Sequence, residues 1–306
     1  MNSWLHSLWR RPYLLLWLPP VFWAGNLVIG RGMADVWPPV SLAVGRWLVA
    51  LLLLLPFAAR GLWHQRVLLW RQRWLVLLCG GFGIAGYNAL AYVALHTVPA
   101  ANVAILNSTL PLMVPLAAFM LDGERVPARA MAGIAVSFCG AIWITVRGDM
   151  SALLGLRLES ADLLVLLAVL NYALYSVLLR RRDPALAPLV FLAATMTAGL
   201  AVLLPFWIWE LAQGAVLPRD AASLGAVIYI GVFASLLAFI LWNRCVATLG
   251  PVVTGVSFHL VAVFTALLAF ILLAEPVRDF HIVGIVLILA GFALAVLPGR
   301  VMRRQP

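Results

Sequence analysis

The chain has 306 residues, of which 65% are hydrophobic and 10% charged, with a formal net charge of +10 and a mean hydropathy of +1.05. A water-soluble chain of this size could not cover so much apolar surface with so few charges, so the composition points to an integral membrane protein. The positive charges lie at helix ends rather than on one folded face, which speaks for membrane topology and against nucleic acid as a partner.

Arg10 and Arg11 precede the first apolar run, as in a signal peptide. The run continues to Ile29 without a clear small-residue cleavage site, so an uncleaved first span is expected. Ten spans follow from the apolar pattern: 13–29, 39–57, 74–95, 101–121, 128–146, 162–179, 188–209, 223–245, 251–273 and 281–297. Connections are short, the longest being about 147–161, and none is long enough for a soluble catalytic domain. Cys79, Cys139 and Cys245 fall within spans at no metal-ligand spacing and read as small buried apolar residues.

The passage from Pro99 to Gly140 organises the chain. It comprises an apolar helix carrying Pro111 and Pro115, a polar turn at Asp122-Gly123-Glu124-Arg125, and a second apolar helix with Gly133 and Gly140. The prolines remove backbone donors and bend a helix, which makes them candidate hinge residues; packing accommodation is the alternative. The glycines offer smooth surfaces to a neighbouring helix. The passage returns 151 residues later, where Ala274-Glu275-Pro276-Val277 echoes Gly123-Glu124-Arg125-Val126. At the same offset Gly133 falls on Gly284, Gly140 on Gly291 and Thr97 on Thr248. The chain therefore reads as two similar halves, 1–150 and 151–306.

These motifs resemble the EamA-type branch of the drug/metabolite transporter superfamily. The resemblance spans roughly 12–147 and 162–300. It is carried by Leu110-Pro111-Leu112, the Gly-Glu-Arg turn, the Gly133…Gly140 helix and weaker copies after Gly250. The second copy departs from it, with Ala262 at the position of Pro111 and Pro276 at that of Arg125. The resemblance implies a ten-helix carrier exporting amino acids or related compounds; the motifs mark the family, not the substrate.

The chain has no lysine, so orientation follows from arginine alone. With the N-terminus inside, 15 arginines fall on inner segments and 5 on outer ones, with Arg46 left inside a span. That bias places both termini in the cytoplasm; the location implied by the resemblance is a bacterial cytoplasmic (inner) membrane. Five spans is an odd number, so the second half enters inverted. The expected fold is an all-α integral membrane protein of ten transmembrane helices, as two inverted-topology five-helix repeats.

Few residues could carry chemistry. Arg46 lies roughly 10 Å below the outer end of the second span at 1.5 Å per residue. A charge there needs a wet cavity or a partner. No Asp or Glu was expected at that depth, so its fork could receive a substrate carboxylate; snorkelling or binding backbone carbonyls is the alternative. Arg46→Ala is accordingly expected to lose transport and keep its fold. His259 matches Ser108, beside Asn107, at the 151 offset, and the three would flank a central cavity. The histidine could couple protons or simply bond a neighbouring helix. Asn26, Asn88 and Asn171 read as cavity or interhelical amides, accompanied by Trp23, Tyr87, Tyr175 and Trp242. Trp37, Trp63, Trp70, Trp74 and Trp209 read as interfacial aromatics. Glu124 and Glu275 sit at turns, where capping or pairing with arginine accounts for them.

No motif supports catalysis, a metal or a cofactor, and Gly80-Gly81-Phe82-Gly83 reads as close helix packing. The expected activity is secondary transport of a small metabolite by a monomer in the bilayer. An exporter of lipophilic cations comes second, because no embedded carboxylate is seen. A membrane enzyme or scaffold comes third.

Overall fold

A computed structural model of the chain describes residues 9, 11–33, 36–95, 98, 100–154, 161–273, 276 and 278–296. Ten helices among them are long and apolar enough to cross a membrane: Pro12–Ile29, Pro39–His64, Arg73–Ala94, Asn102–Asp122, Ala128–Thr145, Asp162–Arg181, Pro188–Ala212, Ala221–Leu249, Pro251–Ile271 and Asp279–Val296. They are called the first to tenth spans in that order. Every expected span is present. The second runs on to His64 because the good helix formers after Phe57 continue the turn. Glu275, Thr97 and the arginines beyond 296 lie outside the described residues.

Several spans are broken where the sequence withholds backbone donors. The first divides into Pro12–Leu15 and Leu18–Met33. Pro19 and Pro20 cannot donate to the carbonyls of Leu15 and Leu16, so the helix interrupts there. The fourth divides into Ala100–Asn107 and Leu110–Asp122, because Pro111 cannot donate to Asn107. Pro111 thus opens the lower half-helix, and Pro115 lies inside it. The ninth divides into Pro251–Val256, a 3-10 turn at Ser257–His259, and Leu260–Leu273. The third and eighth spans widen into π-helices at Gly80–Gly86 and Ile230–Leu237, again about 151 residues apart. Such wide turns leave carbonyls free for side chains, and they recur at functional sites.

The fifth and tenth spans make the closest helix pair. A Cβ on Gly133 would stand 2.6 Å from the carbonyl oxygen of Gly291, and one on Gly140 would stand 2.7 Å from that of Gly284. As one number rises the other falls, so these helices run antiparallel. The glycine surfaces expected to receive a neighbour therefore receive each other.

The two halves interlock. Gly80 of the third span abuts Thr195 and Gly199 of the seventh, while Gly231 of the eighth abuts Val49 and the Arg46 carbonyl of the second. Glu210, near the end of the seventh span, accepts from the backbone N–H groups of Val40 and Ser41 at 2.9 and 2.7 Å and from the Ser41 hydroxyl at 2.6 Å. Pro38 cannot cap the second span with its side chain, and this carboxylate does so from the other half. At the opposite end of the molecule Gly123, at φ +67°, closes the fourth span in a left-handed cap. There Asp122 pairs with Arg181 at 2.8 Å and Glu124 pairs with Arg180, fastening the fourth span to the sixth. The expected arginine partner of Glu124 is thus present.

Cys79 and Cys245 are buried as expected, but Cys139 is exposed on the outer surface of the fifth span. In a membrane helix the outward face is as apolar as the inward one, so composition did not separate them.

Candidate functional site

Arg46 is 2% exposed, and its guanidinium is held by neutral acceptors. Nε donates to Ser235 Oγ at 2.7 Å, Nη1 to Asn88 Oδ1 and Tyr92 Oη at 2.7 Å each, and Nη2 to the Ala234 carbonyl at 3.0 Å. Ser235 and Ala234 belong to the π-helix of the eighth span. Asn88 in turn donates from Nδ2 to the carbonyls of Gly83 and Ile84 in the π-helix of the third span, at 3.5 and 3.3 Å. One guanidinium therefore joins both wide turns. Four of its five N–H groups are used, so the open fork expected from sequence is largely filled from within. Its charge meets no carboxylate there; both ion pairs among the described residues lie at the Glu124 end.

His259 is also 2% exposed. Nε2 lies 3.0 Å from the carbonyl oxygen of Ser108, and Nδ1 lies 2.7 Å from Ser137 Oγ. A carbonyl only accepts, so the neutral ring carries its proton on Nε2 and takes a hydrogen bond from Ser137 on Nδ1. This contact closes the break of the ninth span onto the break of the fourth.

Between these two groups lies a cavity of about 1020 Å³. Its lining begins at Tyr172, Phe239 and His259 deep among the spans and ends at the exposed residues Arg147, Ala152 and Arg278. Arg46, His259, Asn107, Ser108, Trp23, Asn26, Tyr87 and Asn88 all line it. Five buried polar atoms on its wall have no hydrogen-bond partner: Asn26 Oδ1, Trp37 Nε1, Asn107 Oδ1, Tyr172 Oη and Thr265 Oγ1. Buried polar groups are ordinarily paired, so such a concentration marks a surface built to meet water or a ligand.

Asn171, Tyr175 and Trp242 do not line the cavity. Asn171 and Tyr175 fill the notches left by Gly86 and Gly83 in the third span. Tyr175 also donates to Asn243 Oδ1 at 2.8 Å. Trp242 is wedged between Trp23 and Tyr172, with ring centroids at 5.2 and 5.4 Å, and donates to Ser176 Oγ at 3.2 Å. These three form the layer behind the wall.

The wall also contains residues that sequence reasoning missed. Tyr92 lies on the same helix as Asn88, one turn further on. Trp37, expected at the membrane interface, is buried against the cavity. Arg147 and Arg278 line the mouth as loop residues. Arg147 has φ +55°, rare for a residue with a side chain, and it precedes Gly148 at φ +78°. A buried carboxylate was missed as well. Asp162, in the first turn of the sixth span, accepts from Asn102 Nδ2 at 3.3 and 3.4 Å. It is not part of the wall.

Ten apolar helices that enclose a largely apolar cavity with a few polar groups, open to one end, describe a carrier, and residues 10–146 and 159–297 both match the EamA-like transporter family. The chain belongs to that family. Its relatives are transporters. The uncharacterized transporter YetK of Bacillus subtilis strain 168 is 25% identical over 92% of this chain and 84% of its own. The uncharacterized transporter YyaM of the same organism is 26% identical over 72% of each chain. A probable terminal-alkyne amino-acid exporter of Streptantibioticus cattleyicolor is 28% identical, again over 72% of each. One crystal structure superposes with a TM-score of 0.75 at 20% identity, covering 94% of this chain and 97% of the other, and so shares the fold. Twofold matching within this EamA chain accords with the 151-residue spacing of its motifs.

Proposed function

We propose that this protein exports small metabolites, amino acids foremost, across the cytoplasmic membrane of a bacterium by alternating access, as a monomer with both termini inside. The cavity carries the reading. It is of metabolite size, it penetrates to mid-span, and its wall holds unpartnered polar atoms among aromatic rings. Two further observations support it: the antiparallel packing of the fifth and tenth spans suits an inverted repeat, and one relative bears the name of an amino-acid exporter. In the orientation argued from arginine placement, the open end at Arg147 and Arg278 faces outward. The Asp122–Arg181 and Glu124–Arg180 pairs then close the cytoplasmic end.

Export of lipophilic cations has less support, since no Asp or Glu among the described residues lines the cavity. Counterflow of labelled amino acids in proteoliposomes tests the proposal. Accumulation of at least one of them above protein-free vesicles is the expected result. Folded protein that moves none of them rules the proposal out.

A further inference from the structure

The charges on the cavity wall all have one sign. Arg46 sits at depth and Arg147 and Arg278 stand at the mouth, and no carboxylate among the described residues joins them. The guanidinium of Arg46 is bonded only to a hydroxyl, an amide oxygen, a phenol and a carbonyl, none of which cancels its charge. One N–H on Nη2 is left over from those four bonds. Away from water, such a charge acts over longer distances than at a surface. The rest of the wall is aromatic and aliphatic, with Trp23, Tyr87, Tyr172, Phe239 and Phe258 prominent.

A zwitterionic amino acid offers this cavity two charges. Its carboxylate meets three cations. Its ammonium meets neutral acceptors alone, such as Asn26 Oδ1 and Asn107 Oδ1, in the presence of like charge. A molecule without the ammonium loses little and is spared that repulsion.

We propose that the site reads the carboxylate of its ligand and not an ammonium group, so that its substrates are amphipathic carboxylates, of which zwitterionic α-amino acids are one subclass and simple organic anions another. This rests on the transport reading above and sharpens it. Arg46 then attracts the anion through its uncompensated charge, rather than through a bidentate fork.

Three probes that share one apolar body separate the two groups: 3-phenylpropionate carries the carboxylate alone, phenylalanine carries both, and phenethylamine carries the ammonium alone. Their binding to the full-length protein in detergent is followed by the tryptophan fluorescence to which Trp23 and Trp37 contribute. We expect 3-phenylpropionate to bind at least as tightly as phenylalanine, and phenethylamine to bind about tenfold more weakly or worse. Arg46→Gln is expected to erase the preference; if that variant does not fold, the wild-type series decides alone. Phenethylamine binding as well as 3-phenylpropionate overturns the proposal, as does phenylalanine binding tenfold tighter than 3-phenylpropionate. Absence of binding by all three overturns it, and the export reading then stands or falls on the counterflow of the other amino acids. Counterflow separates the two claims: acids that bind in the expected order but are not moved support carboxylate recognition and overturn transport.

Discussion

His259 donates from Nε2 to the carbonyl oxygen of Ser108, the residue 151 places before it. Both stand where their span is interrupted, so this hydrogen bond satisfies a carbonyl exposed by one helix break with a donor presented by the other. Replacing His259 by Ala leaves the Ser108 carbonyl and the Ser137 hydroxyl buried without that partner, at a cost of about 1–3 kcal/mol for a stranded group. His259→Ala should therefore lower the thermal midpoint of the detergent-solubilised protein by several degrees. His259→Gln, which keeps a donor of similar reach, should recover part of the loss.

Arg46 gives a second expectation, and it differs from the one drawn from sequence. Removing its guanidinium deprives Ser235, Asn88, Tyr92 and the Ala234 carbonyl of a donor at once. Arg46→Ala should lose stability as well as transport, by about 3 kcal/mol or more, as is usual when one member of a buried charged network is deleted. Arg46→Lys keeps the charge but not the planar geometry, and should restore only part of the stability. Denaturation curves of the three proteins in the same detergent check this. An Arg46→Ala protein as stable as the parent would show that the guanidinium is not a brace.

Two glycines give opposite signs for one substitution type. A Cβ on Gly140 would lie 2.7 Å from the Gly284 carbonyl oxygen and 2.8 Å from Leu287 Cβ, so Gly140→Ala must push the fifth and tenth spans apart. Overpacking of this kind costs about 1–3 kcal/mol. Gly225 lies in the eighth span with nothing near its missing Cβ. Gly225→Ala should stabilise by about 0.5–1 kcal/mol through helix propensity. Thermal midpoints should move down for the first and up for the second.

Arg147 holds a left-handed conformation that a side chain makes costly by about 1–2 kcal/mol. Arg147→Gly should relieve that strain and raise the thermal midpoint, while removing one positive charge from the cavity mouth and weakening anion binding there. Arg147→Gln should share the second effect without the first. The same turn contains Asp149, which accepts from the Ser151 backbone N–H and hydroxyl, and these bonds hold its carboxyl below the usual carboxylate range. The contribution of a depressed carboxyl is complete above the ordinary value of about 3.9 and is lost as pH falls through its own lower value. Between neutrality and pH 5 the stability of this turn should not change with pH.

The sequence was informative about the lengthwise order of the chain and poor about its facing. All ten spans were readable because a bilayer demands long runs without charge. The break after Asn107 was readable too, since Pro111 removes a specific donor, whereas the one at Leu16 was not foreseen. Which side of each helix meets the cavity was not readable either. In a soluble helix polarity separates the faces, but here Tyr172 and Tyr175 occupy one helix with similar neighbours. Tyr172 faces the cavity because Gly83 and Gly86 on the third span offered notches to Tyr175 and Asn171 instead. The π-helices were hidden for a related reason: Gly80-Gly81-Phe82-Gly83 reads as close packing, and so it packs, but a widened turn leaves no signature of its own. Arg46 stood out as a lone charge, yet its ligands come from spans distant in sequence and could not be named beforehand.

The glycine pairs of the fifth and tenth spans constrain how this chain can drift. In an ordinary core, a bulkier residue on one helix is accommodated by a slimmer one opposite. Where Gly133 confronts Gly291 and Gly140 confronts Gly284, both partners are already at the minimum. Neither can concede volume to the other, so these four positions have no compensating exchanges open to them, and a change at any one must be answered by moving a whole helix.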